Sequence, residues 1–334
     1  MITPIETPWE PDIWRRELQQ AIRTSVELLK YVNVHSESAS DSDPFPVRVP
    51  RGFADRMVVG ERNDPLLRQV LATTHEQIDT PGFVRDPLQE QSDRNLIHPA
   101  PGLLHKYHGR ALLITTGACA INCRYCFRRH FPYAEHQQRR HTKALAALQQ
   151  DTSIEEIILS GGDPLLLDDA ALAQLLESLT QIDHLQRLRI HTRIPVVLPA
   201  RITQALVDML AASRMQVVVV IHSNHAQELD AATARSLAAL DNAGVHLLNQ
   251  AVLLKGINDN LPAQIALAKA LFSQRVMPYY LHLPDRVAGT AHFYVEDQAA
   301  RALHSDMQAH LPGYLVAKLV REQAGEPAKT IVSI

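Results

Sequence analysis

Residues 111–126, ALLITTGACAINCRYC, join an apolar run rich in β-branched side chains to a loop that carries every cysteine of the chain. The run 111–117 is typical of a buried β-strand. Cys119, Cys123 and Cys126 follow it with the spacing CxxxCxxC, and there is no other cysteine. An odd, tightly clustered set is a poor disulfide framework, so the stretch predicts a metal or cluster site directly after a strand.

The spacing of the thiols favours an iron–sulfur cluster over the alternatives. Three thiolates can bind three irons of a 4Fe–4S cubane and leave the fourth iron without a protein ligand. Structural zinc normally has four ligands, so one of the histidines would have to complete such a site. Chance placement is disfavoured because the cysteines are confined to this loop.

Outside this stretch, strand-like and helix-like segments alternate. Apolar runs suited to strands follow at 155–161, 187–192, 216–223, 246–254 and 277–283, and helical periodicity occurs at 167–180, 200–213, 225–244 and 261–274. This alternation implies βαβ units and a parallel sheet. Six strands are too few for an eight-stranded barrel, so we predict an α/β fold with a partial, TIM-like (β/α)₆ barrel. Active residues should then gather at the carboxyl ends of the strands.

The chain is expected to have three parts. Residues 1–100 are predicted to form an N-terminal helical cap that packs on the barrel, with a helix over 12–31 and a polar linker over 36–44. Residues 101–290 would form the barrel, and residues 291–334 a C-terminal segment.

Composition excludes several classes of protein. The 334 residues contain 33 Lys and Arg against 36 Asp and Glu, a net charge of -3, without a block of like charge. A general binder of nucleic acid or membrane surfaces is therefore not indicated. No apolar run approaches the about 18 residues of a membrane span, and the start lacks the pattern of a secretory signal. We therefore expect a cytoplasmic protein.

Two motifs in order resemble the radical S-adenosylmethionine superfamily. Tyr125 places an aromatic residue before the last cysteine, and the second predicted strand ends in SGGDP, residues 160–164. The resemblance implies that the open iron binds S-adenosylmethionine. It also implies that Tyr125, Gly161, Gly162 and Asp163 help to bind that cofactor.

Most of residues 100–334 resemble the lysine 2,3-aminomutase family within that superfamily. The matching stretches are CFRR at 126–129, LSGGDPL at 159–165, RIPVVLP at 193–199, NQAVLLKGIND at 249–259 and PYY at 278–280. The family also carries pyridoxal 5′-phosphate on a lysine near the C-terminus, and the residue in this register is Lys329. Here the preceding residues 326–328 are Glu, Pro and Ala, where the family has glycines.

The family register also implies a substrate slot. Arg128 would hold the substrate carboxylate, for which a planar guanidinium is suited. Asp285 and Glu322 would hold the distal ammonium group of lysine. Singly, each of these residues is more often a surface charge, but as a set they favour lysine over glutamate as the substrate.

The remaining cofactor contacts follow from strand ends and from the same resemblance. The phosphate group of pyridoxal 5′-phosphate would be bound by Arg110 and by Lys106 or Tyr107, together with Gln250 and Tyr279. S-adenosylmethionine would lie against the residues that end the third and fourth strands, which are His191, Arg193, His222 and Asn224. His222 is equally well interpreted as a histidine of the core.

The resemblance implies an L-lysine 2,3-aminomutase that converts (S)-α-lysine to (R)-β-lysine with a 5′-deoxyadenosyl radical. The short chain is most similar to the bacterial EpmB-type subgroup, which supplies β-lysine for modification of elongation factor P. A lysyl-ligase-like partner and an electron donor such as flavodoxin would accompany it. The alternatives are an aminomutase for another amino acid, a radical enzyme without pyridoxal, and a noncatalytic metal-stabilised module that binds translation factors.

Overall fold

The computed structural model describes residues 12–35, 38–41, 44–90, 97–133 and 141–332. Within these ranges ten strands form a sheet in which each strand neighbours the next along the chain. The strands are β1 Ile97–Ala100, β2 Leu103–Tyr107, β3 Arg110–Thr116, β4 Glu156–Gly161, β5 Arg187–Thr192, β6 Gln216–Ile221, β7 His246–Val252, β8 Met277–His282, β9 Lys318–Arg321 and β10 Thr330–Ile331.

The central part of the sheet is parallel. Strands β3 to β9 pair in parallel, whereas β1, β2 and β3 are joined antiparallel at one end and β9 and β10 at the other. The six predicted strands are confirmed as β3 to β8, and so is the α/β fold class. Strand β9 was not predicted, because its four residues, KLVR, are too short to show a pattern.

In the described ranges, four helices precede the sheet, and the helices from Thr142 onward connect the parallel strands. They are α1 Ile13–Gln19, α2 Ser25–Tyr31, α3 Arg51–Ala54, α4 Pro65–Arg68, α5 Thr142–Gln150, α6 Asp169–Thr180, α7 Ile194–Val197, α8 Gln204–Ala211, α9 Ala231–Asn242, α10 Leu261–Ser273 and α11 Asp297–His310. The four predicted helical segments are confirmed as α6, α8, α9 and α10. Each begins after a side chain that accepts a first-turn N–H, namely Asp168, Thr203, Asp230 and Asn260.

The prediction of one helix over 12–31 is wrong. The structure has two helices, because Thr24 adopts an extended conformation and its side chain accepts the N–H of Glu27, which starts α2. Between the helices, Ile22 pairs with Val49 through two backbone hydrogen bonds of 2.8 and 3.0 Å. The predicted linker 36–44 lies partly outside the described residues; within it, Ala39 pairs with Thr73.

A continuous apolar core joins the N-terminal segment to the barrel. Trp14, Phe53 and Leu67 belong to the same cluster of buried side chains as Leu159 and Val219 of the central strands. The three predicted domain boundaries stay a prediction. None of the helices in the described part of the chain is long and apolar enough to cross a membrane.

The two ends of the sheet meet through side chains. Lys106 Nζ and Tyr107 OH, from β2, both donate to Glu322, which follows β9, at 2.9 Å. These contacts join residues more than 200 positions apart. In the described residues no backbone pairing joins β1 to β10. The sheet is therefore a curved, open barrel. Its two ends are held together by the ion pair of Lys106 with Glu322 and by the hydrogen bond from Tyr107.

A buried carboxylate ties the N-terminal segment to the cysteine loop. Glu76 accepts hydrogen bonds from Arg124 at 2.9 and 2.5 Å and from Arg129 at 2.6 Å. The three side chains are 0% exposed. Since Arg124 lies between the last two cysteines, this ion-pair cluster attaches the cysteine loop to the N-terminal segment.

We expect Glu76→Gln to destabilise the protein strongly. The change leaves two buried guanidinium groups without this carboxylate. The free energy of unfolding should therefore fall by about 3 kcal/mol or more. Urea unfolding measures the free energy, with Glu177→Gln on the exposed face of α6 as the control. Equal stability of the two variants would contradict the prediction.

Candidate active site

A cavity of about 440 Å³ opens at the carboxyl ends of the parallel strands. Its wall contains every site residue that was named from the sequence: Cys119, Cys123, Cys126, Tyr125, Gly161, Gly162, Asp163, His191, Arg193, His222, Asn224, Lys106, Tyr107, Arg110, Gln250, Tyr279, Arg128, Asp285, Glu322 and Lys329. The structure therefore brings the whole predicted set together, and the contacts of each residue show what it is placed to do.

The three thiols share one electrostatic environment. Burial, with the neighbouring Cys123 as the next cause, raises the pKa of Cys126 to about 11. Burial also raises the pKa of Cys119, with Cys126 as the next cause. Arg193 Nη1 donates to Cys123 Sγ at 2.7 Å. Because the pKa values of Cys119 and Cys126 are raised, these thiols need a positively charged group to exist as thiolates, as an iron–sulfur cluster provides.

The arrangement of the thiols also bears on the zinc alternative. Among the described residues, no group of three or more His, Cys, Asp and Glu side chains could hold a metal ion. In a cubane each thiolate binds a different iron, so its ligands need not converge on one point. The arrangement of the three thiols is therefore compatible with a cluster.

Gly161 and Gly162 allow the end of β4 to lie directly against the start of the cysteine loop. The N–H groups of Gly162 and Asp163 donate to the carbonyls of Thr116 and Ala118, at 2.6 and 2.7 Å. Gly161 has a φ of +118°, which favours glycine. A Cβ at Gly162 would lie 2.2 Å from the Ala118 carbonyl oxygen. Only glycine fits this approach.

Asp163 connects two strand ends. Its carboxylate accepts hydrogen bonds from Thr192 Oγ1 and the Arg193 N–H, both at 2.7 Å, and from the Leu165 N–H at 3.1 Å. Burial raises the pKa of Asp163 to about 6. These contacts support a positioning function for the side chain, and direct cofactor binding by Asp163 stays a prediction.

Arg193 and Asn224 belong to a buried polar network beside the thiols. Arg193 Nη2 donates to Gln69 at 2.7 Å and to Glu228 at 2.9 Å. Asn224 Nδ2 donates to Tyr125 OH at 2.6 Å and to Gln69 at 3.0 Å. Neither Gln69 nor Glu228 was predicted, because both lie outside any motif and come close only in the folded chain.

Several buried polar atoms in the wall of the cavity have no partner in the described structure. They include Nε2 of His191, His222 and His282, and Oε1 of Gln250. Burial lowers the pKa of His222 to about 4, so its ring is neutral at physiological pH. Buried polar atoms are normally hydrogen-bonded, so these unsatisfied groups fit a polar ligand in the cavity.

Lys329 lies opposite Glu322 across a hairpin. Because Arg321 pairs with Thr330 in the ladder between β9 and β10, the next residues, Glu322 and Lys329, face each other. The Lys329 ammonium donates to the Glu322 carboxylate. Burial raises the pKa of Glu322, but Lys329 and Lys106 outweigh it and hold that pKa well below its usual range. The hairpin turns at Gly325, with φ +80°, so the departure at residues 326–328 still allows Lys329 to reach the cavity.

The residues predicted to bind phosphate surround the same end of the cavity. The Arg110 guanidinium lies 4.7 Å from the centre of the Tyr107 ring. Tyr279 and Tyr280 stack with ring centres 3.7 Å apart. Lys106 and Tyr107 both donate to Glu322, so neither is free of protein partners.

The predicted substrate slot contains one further acid, Glu90, that was not predicted from the sequence. Arg128 donates to Glu90 through Nε at 2.9 Å and through Nη2 at 2.8 Å. Burial raises the pKa of Asp285 to about 7, and the nearby Glu322 contributes to the shift. The slot thus holds one guanidinium group and three acids, Glu90, Asp285 and Glu322.

Comparisons with known proteins agree with this architecture. A family model described as the Radical SAM superfamily matches residues 113–266. L-lysine 2,3-aminomutase of Escherichia coli (strain K12) is 48% identical over 98% of this chain and 96% of that protein. L-lysine 2,3-aminomutase of Haemophilus influenzae is 44% identical over 97% of this chain and 98% of that protein. The Clostridium subterminale L-lysine 2,3-aminomutase is 33% identical over 96% of this chain and 77% of that protein.

The barrel, the cysteine loop and the glycine segment therefore define a radical S-adenosylmethionine enzyme. Within that class, the chain belongs to the lysine 2,3-aminomutase family, and the similarity to the Escherichia coli protein fits the predicted EpmB-type subgroup. Membership confirms the predicted isomerase class and the predicted cofactors, a 4Fe–4S cluster, S-adenosylmethionine and pyridoxal 5′-phosphate.

We expect Gly162→Ala to destabilise the protein and to lower the iron content after reconstitution. The added Cβ overlaps the backbone of Ala118, which costs about 1–3 kcal/mol and displaces the loop of the three cysteines. Urea unfolding and iron analysis measure the two effects. The matched control is Gly313→Ala, where an added Cβ meets nothing within 4 Å. An iron content equal to that of the control would show that the contact does not position the loop.

Proposed function

We propose that this protein is an L-lysine 2,3-aminomutase, which converts (S)-α-lysine to (R)-β-lysine. The observation that carries the proposal is that one cavity holds the three thiols, Lys329 and a charged slot formed by Arg128, Asp285 and Glu322. The printed activity of the relatives described above supports it.

The charges of the slot complement those of lysine. A substrate carboxylate would bind Arg128, whereas the distal ammonium would lie between Asp285 and Glu322. Glutamate would place a second carboxylate against these acids, which is repulsive in a buried site. The slot therefore favours an amino acid with a cationic side chain.

The residues of the chain hold and shield the reacting groups. Cys119, Cys123 and Cys126 would bind the cluster, and Lys329 would carry pyridoxal phosphate. When bound, the cluster with S-adenosylmethionine supplies a hydrogen-abstracting radical, and pyridoxal phosphate spreads the unpaired spin. Apolar side chains in the wall, among them Ile158 and Val252, exclude water from this space.

We also propose that the product serves the modification of elongation factor P. The resemblance to the EpmB-type subgroup supports this function, since a lysyl-ligase-like partner would attach β-lysine to the factor. An electron donor such as flavodoxin would reduce the cluster. The cytoplasmic location stays a prediction.

The proposal is tested by anaerobic incubation of the reconstituted protein with L-lysine, S-adenosylmethionine and a reductant. β-Lysine should form, and Arg128→Ala and Asp285→Ala should each lower turnover at least about tenfold, because each removes a charged contact to substrate. Both variants should keep the cluster and pyridoxal absorbance. Exposed Arg301→Ala and Asp306→Ala on α11 are matched controls. Near-normal turnover in either slot variant would show that the slot is wrongly assigned.

The same preparation separates the alternatives. Turnover of a panel of amino acids distinguishes an aminomutase for another substrate. Loss of pyridoxal absorbance in Lys329→Ala supports Lys329 as the attachment point. If the parent protein shows no pyridoxal absorbance, a radical enzyme without pyridoxal is supported. About four irons and four sulfides per chain support the enzyme, whereas one zinc supports the binding module.

The raised pKa of Asp285 predicts a pH dependence of lysine binding. The carboxyl is neutral below about pH 7 and ionised above it, and only the ionised form attracts the ammonium group of lysine. The KM for lysine should therefore rise as pH falls from about 8 to about 6, by up to about tenfold for one proton. Asp285→Asn should abolish this change. An identical pH profile in parent and variant would exclude Asp285 as the titrating group.

A further inference from the structure

Glu90 and Arg128 form a buried bidentate pair in the wall of the cavity. Oε2 of Glu90 accepts from Arg128 Nε at 2.9 Å, and Oε1 accepts from Nη2 at 2.8 Å. The side chains are 8% and 7% exposed, respectively. Buried bidentate pairs of this kind fix the orientation of the guanidinium plane.

The pair uses only one edge of the guanidinium group. Arginine presents one bidentate edge through Nε and a terminal nitrogen, and a second edge through its two terminal nitrogens. Glu90 occupies the first edge. In the described part of the chain, Nη1 of Arg128 makes no hydrogen bond, and Arg128 lines the cavity. The second edge is therefore left for another carboxylate.

Further contacts restrict the remaining motion of both side chains. The Arg128 guanidinium lies 4.8 Å from the centre of the Phe127 ring and 5.7 Å from that of Phe131. The backbone N–H of Glu90 donates to Asp86 Oδ1 at 3.0 Å. Without Glu90, the long arginine side chain would regain rotamers that point its second edge away from the substrate.

We propose that Glu90 is the positioning residue for carboxylate recognition, and that it determines the preference of this site for α-amino acids over amines without a carboxylate. The inference rests on the proposed function, since it takes Arg128 as the carboxylate contact. Glu90 acts through Arg128 and does not touch the substrate. It also balances the buried charge of Arg128 while the slot is empty.

The test compares two probes that differ by the carboxylate, L-lysine and 1,5-diaminopentane. Their dissociation constants are measured by calorimetry on the reconstituted holoenzyme. The parent protein should bind lysine more tightly. In Glu90→Ala the dissociation constant of lysine should rise by about tenfold or more, while that of the diamine changes less than about twofold. In turnover, KM should rise much more than kcat falls.

A conservative variant and a surface control accompany this comparison. Glu90→Gln retains one carbonyl acceptor for the guanidinium and should restore part of the lysine affinity, and it remains informative where Glu90→Ala does not fold. Glu177→Ala, on the exposed face of α6, should behave as the parent protein. Cluster and pyridoxal absorbance report that each variant is loaded.

The outcomes distinguish this inference from the proposed function. Tighter lysine binding in Glu90→Ala would mean that Glu90 competes with the substrate. Equal weakening of the binding of both probes would mean a general structural role. Either result overturns the inference about Glu90 and leaves the proposed function intact. A parent protein that binds lysine no better than the diamine overturns the assigned carboxylate contact, and this inference with it.

Discussion

The close backbone contact between the end of β4 and the loop after β3 is the constraint on which the site depends. Gly162 and Asp163 donate to the carbonyls of Thr116 and Ala118, and a side chain at Gly162 would overlap Ala118. Because of this contact, the loop of the three thiols lies beside the glycine segment, and both line the cavity. Because it consists of backbone atoms, neighbouring side chains cannot relax to replace it.

The second constraint is the curvature of the sheet. Strands β2 and β9 are far apart in the strand order, yet Glu322 accepts hydrogen bonds from Lys106 and Tyr107. The same carboxylate accepts from Lys329. One acid thus joins the two ends of the open barrel and holds the lysine proposed to carry the cofactor, so the shape of the cavity and its chemistry depend on the same group.

The N-terminal segment supplies acceptors for the arginines around the cavity. Glu76 binds Arg124 and Arg129, Gln69 binds Arg193, and Glu90 binds Arg128. Buried guanidinium groups are unfavourable without acceptors, so the barrel depends on this segment for the stability of its own loops. The same segment also shares one apolar core with the barrel.

The sequence by itself determined the parallel strands β3 to β8, since long apolar runs indicate burial on both faces, and it placed the cysteine loop directly after the first of them. The substrate slot and Lys329 were implied by the family resemblance. The sequence did not reveal β9, whose four residues carry no pattern, or the break before α2, which depends on the cap at Thr24. Only the tertiary structure decided the partners of the arginines. In the sequence, nothing distinguishes these partners from ordinary surface residues; they are Gln69, Glu76, Glu90 and Glu228. Periodicity reports whether a segment is buried, whereas contacts between distant residues arise only when the segments pack.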